Sequence, residues 1–164
     1  MINLLFAFQL LAQQPPCTDF SGNFVIQGED GRVAVQIQQM GCARITIAWE
    51  SSLYPNNSPV VHSLTLDGTL QTDRAWFGGS GMQQTAALLL PNRLELFQSP
   101  LSASRDSPRS LMLRLDRLSD GDLCVSDAKT NSVSPAMRAS RQPVAGKKAE
   151  DEAARRSSGG CRVP

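Results

Sequence analysis

Between Gly22 and Glu50 the apolar residues fall at every second position: Phe24 and Ile26, then Val33, Val35 and Ile37, then Ala43, Ile45, Ile47 and Trp49. A side-chain period of two belongs to a strand with one buried face, because a helix would scatter the same residues around its surface. The separators agree with this reading. Glu29-Asp30-Gly31 and Met40-Gly41 place glycine where tight hairpin turns need positive φ. The segment therefore predicts three antiparallel strands.

The same grammar continues to about Val125. Strands are expected over 60–66, 69–77, 82–90, 93–98, 109–118 and 122–125, punctuated by Asp67-Gly68, Gly78-Gly79-Ser80-Gly81, Pro91-Asn92 and Asp120-Gly121. Longer polar loops fall at 51–59 and 99–108. The fold class is all-β, an up-and-down meander of eight or nine strands. Closure into a barrel would remove the unpaired edges that invite aggregation. Val35, Ile45, Leu64, Leu88 and Leu113 are the expected inward set, and Arg109 to Leu118 is expected to alternate, with Leu111, Leu113 and Leu115 on one face. A barrel of this size is either filled by such side chains or holds one small ligand.

The ends of the chain read differently. Residues 1–12 form a short apolar run closing on Ala12, too short to span a bilayer and consistent with an export signal. Residues 17–126 are the barrel domain, and 127–164 are expected to be a disordered tail. Charge marks that boundary: residues 1–127 hold eight arginines against twelve acids, whereas 128–164 hold eight basic residues against three acids, so the net +1 conceals a −4 domain and a +5 tail. The tail loses alternation and gains Ser, Pro and Ala, a composition poor in apolar surface to bury. A brief helix over 146–156 would be marginal alone. Without interleaved aromatics the basic residues do not predict a nucleic-acid partner, and no segment predicts stable membrane insertion.

Four cysteines, Cys17, Cys42, Cys124 and Cys161, lack the close spacing of zinc or redox motifs. Behind an export signal they read as disulfides of a periplasmic or secreted protein. Cys17 precedes the first strand and Cys42 opens the third, so a meander brings them to one end of the sheet and predicts a bridge between them. The pairing of Cys124 and Cys161 stays open at this level.

Cys17-Thr18-Asp19-Phe20-Ser21-Gly22-Asn23-Phe24 resembles the entry of small secreted bacterial lipocalin-like proteins, in which a cysteine and a Ser-Gly-aromatic step precede the first strand. Ile37 to Cys42 and Leu64 to Gly68 are similar to their second-strand and mid-barrel motifs, and the resemblance spans 17–126. It implies an extracytoplasmic β barrel. Where lipocalins carry Gly-x-Trp, this chain has Gly22-Asn23-Phe24.

Candidate chemistry is sparse. His62 is the single histidine, so a nucleophile–base pair would have to join it to Ser63 or Ser80, and Gly78-Gly79-Ser80-Gly81 is not a Gly-x-Ser-x-Gly elbow. Asp116, Asp120 and Asp122 lack the loop length and terminal glutamate of an EF-hand. The reading is a non-enzymatic barrel without metal or cofactor, expected to be a monomer. Its ligand-binding candidates are Trp49, His62, Arg74 and Trp76, which share the inward parity, and its partner is either a small apolar or amphipathic molecule or another protein. In the second case the barrel is a filled interaction or inhibitor module.

Overall fold

The computed structural model describes residues 17–27, 31–51, 59–76, 81–101, 109–127 and 136–142, together with Asp151 and Cys161. Ten antiparallel strands form one sheet: β1 (Gly22–Gln27), β2 (Arg32–Met40), β3 (Arg44–Ser51), β4 (Val60–Thr65), β5 (Gln71–Arg74), β6 (Met82–Leu90), β7 (Arg93–Ser99), β8 (Ser110–Arg117), β9 (Leu123–Asp127) and β10 (Met137–Arg141). Their order is β4-β3-β2-β1-β10-β9-β8-β7-β6-β5. The meander thus curls into a nearly closed barrel whose seam lies between β4 and β5. The expected export signal, 1–12, lies outside the described residues.

The predicted alternation is what fills the lumen. Across β2, β3 and β4, Val35 opposes Trp49, and Ile37 opposes Ile47, which in turn opposes His62; Ile45 opposes Leu64. Across β6 to β9, Leu89, Leu94, Leu115 and Val125 stand side by side, as do Ala87, Leu96 and Leu113. Phe20, Ile37, Ile45, Ile47, Leu64, Leu94, Leu96, Leu115 and Leu123 are fully buried in a single cluster. Leu88, expected inward, sits on the opposite parity opposite Glu95 and is half-buried; Ala87 takes the inward place. In β8 the register jumps between Leu96 and Phe97 of its neighbour, so Met112 is an extra residue. Met112 and Leu113 are both buried in the core, and strict alternation ends there.

One end is sealed by the chain entry. Phe20 is completely buried in the core, and its N–H donates to Gln39 Oε1 at 3.0 Å. Gln39 in turn donates through Nε2 to the carbonyls of Thr18 (3.0 Å) and Gly41 (2.8 Å), and its N–H donates to Ser21 Oγ at 3.0 Å. The predicted Cys17–Cys42 disulfide is present, with a Cα separation of 5.6 Å. Tight turns, including Gly41 at φ 56° and Asn92 at φ 56°, complete this end.

The chain beyond Asp127 corrects the expectation of a disordered tail. Met137–Arg141 is the tenth strand, pairing β9 on one side and β1 on the other, so it closes the barrel between its first and last predicted strands. The strand escaped the pattern because its buried residues are only Ala139 and Ser140. Its hold is polar: Arg138 pairs with Asp120 and, at 2.8 Å through Nε, with Asp122, while the Arg141 N–H donates to Asp122 Oδ1 at 2.7 Å. Further along, Asp151 pairs with Arg32 at 3.1 Å, and Cys161 is bonded to Cys124 with a Cα separation of 5.8 Å. The basic tail and the acidic domain are complementary. The candidate helix over 146–156 lies outside the described residues except at Asp151.

Candidate functional site

The opposite end of the barrel holds Trp49, His62 and Trp76. Trp49, near the end of β3, and His62, on β4, face inward because Trp49, Ile47 and Ile45 lie beside Val60, His62 and Leu64 in the ladder. Trp76 follows β5. Its indole lies parallel to the His62 imidazole, with centroids 3.6 Å apart and planes 3° apart, and meets Trp49 edge-on at 5.7 Å. Trp76 Nε1–H donates to Thr85 Oγ1 at 3.3 Å. Trp49, Trp76 and His62 are all buried, His62 completely, so they form a layer that caps the aliphatic lumen.

His62 also carries the site's electrostatics. Its Nδ1 lies 2.7 Å from Asp73 Oδ2, and the other Asp73 oxygen accepts the Arg74 N–H at 2.7 Å. An ionised carboxylate only accepts, so the imidazole proton resides on Nδ1. Among the described residues Nε2 is then a buried acceptor without a hydrogen-bond partner. Burial pulls the His62 pKa below its ordinary value and outweighs the Asp73 carboxylate, which pushes the other way. At neutral pH the ring is uncharged.

Three of the four candidate residues, Trp49, His62 and Trp76, come together as their parity predicts. Arg74 does not. β5 ends at Arg74 and the chain bends at Trp76, so the two no longer share a face, and Arg74 is exposed. The inward polar residues of β5 are Gln71 and Asp73, which the sequence reading omitted, and Asp73 is the one that reaches His62. A signal for it existed: a hairpin centred between Asp67 and Gly68 places residue 73 opposite residue 62. Ser63 is exposed on the face opposite to His62, so those two cannot form a nucleophile–base pair. Ser80 lies outside the described residues. Asp122 serves Arg138 and Arg141, and Asp116 pairs with Arg93 at 2.6 Å, so both aspartates are engaged in the wall.

Around the same end stand exposed apolar side chains: Met82 at the start of β6, Leu101 just after β7 and Met137 at the start of β10. A cleft of about 170 Å³ runs over β1 to β3, lined by Asn23, Gln36 and Glu50 and reaching Trp49 and Pro59, and others border the turns at Asn92 and Gly68. Among the described residues no cluster of His, Cys, Asp and Glu has the makings of a metal site, and no helix is long and apolar enough to cross a membrane. No protein-family model matches the chain, and no curated protein matches it at significant similarity.

Proposed function

We propose that this protein is a non-enzymatic, extracytoplasmic binding protein of lipocalin-like build, periplasmic or secreted and monomeric, that seats a small apolar or amphipathic ligand at the aromatic end of its barrel. The observation that carries this reading is the layer of Trp49, Trp76 and His62 over a filled lumen. Trp49 and Trp76 provide flat aromatic surface beneath that end, and such surface with few polar groups suits an apolar body seated against it. The exposed Met82, Leu101 and Met137 add adaptable apolar contacts around it. Two disulfides support an oxidising compartment.

The filled lumen favours a second reading, in which the same rim contacts another protein. Intrinsic fluorescence separates the two, since Trp49 and Trp76 are the only tryptophans. Titration with medium-chain alcohols and fatty acids should give a saturable, one-to-one change that is reduced in Trp49→Phe and Trp76→Phe proteins. A response that grows linearly without saturation would remove the small-ligand reading and leave protein contact.

A further inference from the structure

Among the described residues the barrel has one junction without a backbone ladder. β4 and β5 are consecutive in the chain yet stand at the two ends of the sheet order. Past the end of β4 the gap is closed by β6 instead: Gly68 N–H donates to the Ala87 carbonyl at 2.8 Å and Leu89 N–H to the Leu66 carbonyl at 3.4 Å. From there toward the aromatic end, side chains span the seam. Gln71 Nε2 donates to Thr65 Oγ1 at 2.6 Å, and the His62 Nδ1–H donates to Asp73 Oδ2 at 2.7 Å. His62 opposite Asp73 is the pairing of a hairpin centred between Asp67 and Gly68, and the Gln71–Thr65 contact is one residue off that register; both replace a ladder rather than reinforce one. Every other neighbouring pair is bonded along several residues of backbone.

We propose that the β4–β5 seam is a lateral gate onto the aromatic layer, latched by the His62–Asp73 contact and released when His62 is protonated. In the closed seam His62 is fully buried, packed against Trp76 on one side and beside Ile47 in the ladder. Among the described residues the charged group that faces it is Asp73; Arg74, the next residue, is exposed on the outer side. Protonation adds a hydrogen at Nε2, which among the described residues has no hydrogen-bond partner in the closed seam, and the lowering of the His62 pKa by burial agrees that Asp73 does not compensate fully. In an open seam the ring meets water and binds the proton with its ordinary affinity. Acid therefore shifts the population toward the open state, because a ligand moves an equilibrium by its differential affinity for the two states. Opening separates Trp76 from His62. The gate does not depend on the ligand reading above, and its test uses no ligand.

The test is acrylamide quenching of Trp76 in a full-length Trp49→Phe protein between about pH 7.5 and about pH 5.5, a range that spans the ordinary histidine pKa and stays above that of ordinary carboxylates. Quenching should rise severalfold toward low pH while the far-ultraviolet circular dichroism stays constant. A second protein carries Thr65→Cys and Gln71→Cys in the same background, joining the strands across the seam; its quenching should stay low at both pH values. In His62→Gln protein, whose amide can still donate to Asp73 but does not titrate, the rise should vanish. Quenching that is flat in the Trp49→Phe protein overturns the proposal, as does an equal rise in the cross-linked protein or the His62→Gln protein. If the two cysteines do not join, the His62→Gln comparison decides, and if His62→Gln does not fold, the cross-linked comparison decides.

Discussion

Leu115→Ala is the perturbation that most sharply probes the filled lumen. Leu115 is 1 % exposed, with Leu94 opposite it on β7 and Val125 on β9. Truncation removes three carbons, and at about 0.8 kcal/mol per buried CH₂ the transfer cost is about 2.4 kcal/mol. A cavity term adds to this wherever the surroundings cannot collapse. Here β8 is held by a ladder on both sides, and the neighbouring Leu94 and Val125 are themselves packed, so relaxation is limited. The expected total is about 3–4 kcal/mol, within the range measured for buried leucines. Urea unfolding with the disulfides intact, followed by circular dichroism, reads this as a midpoint shift of about 2 M or more if m is about 1.5 kcal/mol/M. Leu101→Ala, at a site 52 % exposed, should stay within about 0.5 kcal/mol of the parent. A Leu115→Ala loss below about 1 kcal/mol would refute the reasoning, since it would mean that the lumen around Leu115 is not closely packed.

Truncation after Asp127 should abolish cooperative urea unfolding, because it removes β10 and leaves β1 and β9 each with one unpaired edge; a core that still unfolds in one sharp transition would contradict the closure. Replacing Cys17 and Cys42 by serine should cost about 3–4 kcal/mol for the 25-residue separation, as should Cys124 and Cys161 for the 37-residue one, both read as denaturant midpoints. Because the His62 pKa is lower folded than unfolded, its contribution to stability is present above about pH 6.5 and is lost as pH falls through the lowered folded value. Unfolding free energy measured from pH 7.5 downward should decline through that window, and the decline should be shallower in His62→Gln protein. Gly22→Ala should destabilise by about 1–3 kcal/mol, since φ is 156° and a Cβ there would meet the Phe24 ring at 3.0 Å; thermal unfolding checks it.

How much of this was legible follows the physics of each segment. Strands with one apolar face, such as Arg32–Met40 and Arg44–Ser51, declare themselves because burial sets their period. The Met137-Arg138-Ala139-Ser140-Arg141 strand does not, since ion pairs and hydrogen bonds to Asp120 and Asp122 replace most of its apolar signal. A charge imbalance that reads as a solvated tail is here partly a docking surface. Arg74 was misplaced because parity holds only while a strand lasts, and β5 is four residues long. Met112 broke the alternation of β8 for a related reason, since a bulge adds a residue that no period announces. The aromatic layer was visible as three inward positions; its carboxylate was visible only through the register of the Asp67-Gly68 turn.

The central claim, that a filled barrel offers its aromatic end and not its lumen to a ligand, is tested most directly by paramagnetic relaxation from a spin-labelled medium-chain alcohol added to isotopically labelled protein. Saturable broadening should fall on the indole N–H signals of Trp49 and Trp76 and on the methyl groups of Met82 and Met137, while the methyls of Ile37, Leu94 and Leu115 stay sharp. Broadening of those deep methyls would show an open lumen and contradict the account, as would a probe that broadens no site saturably.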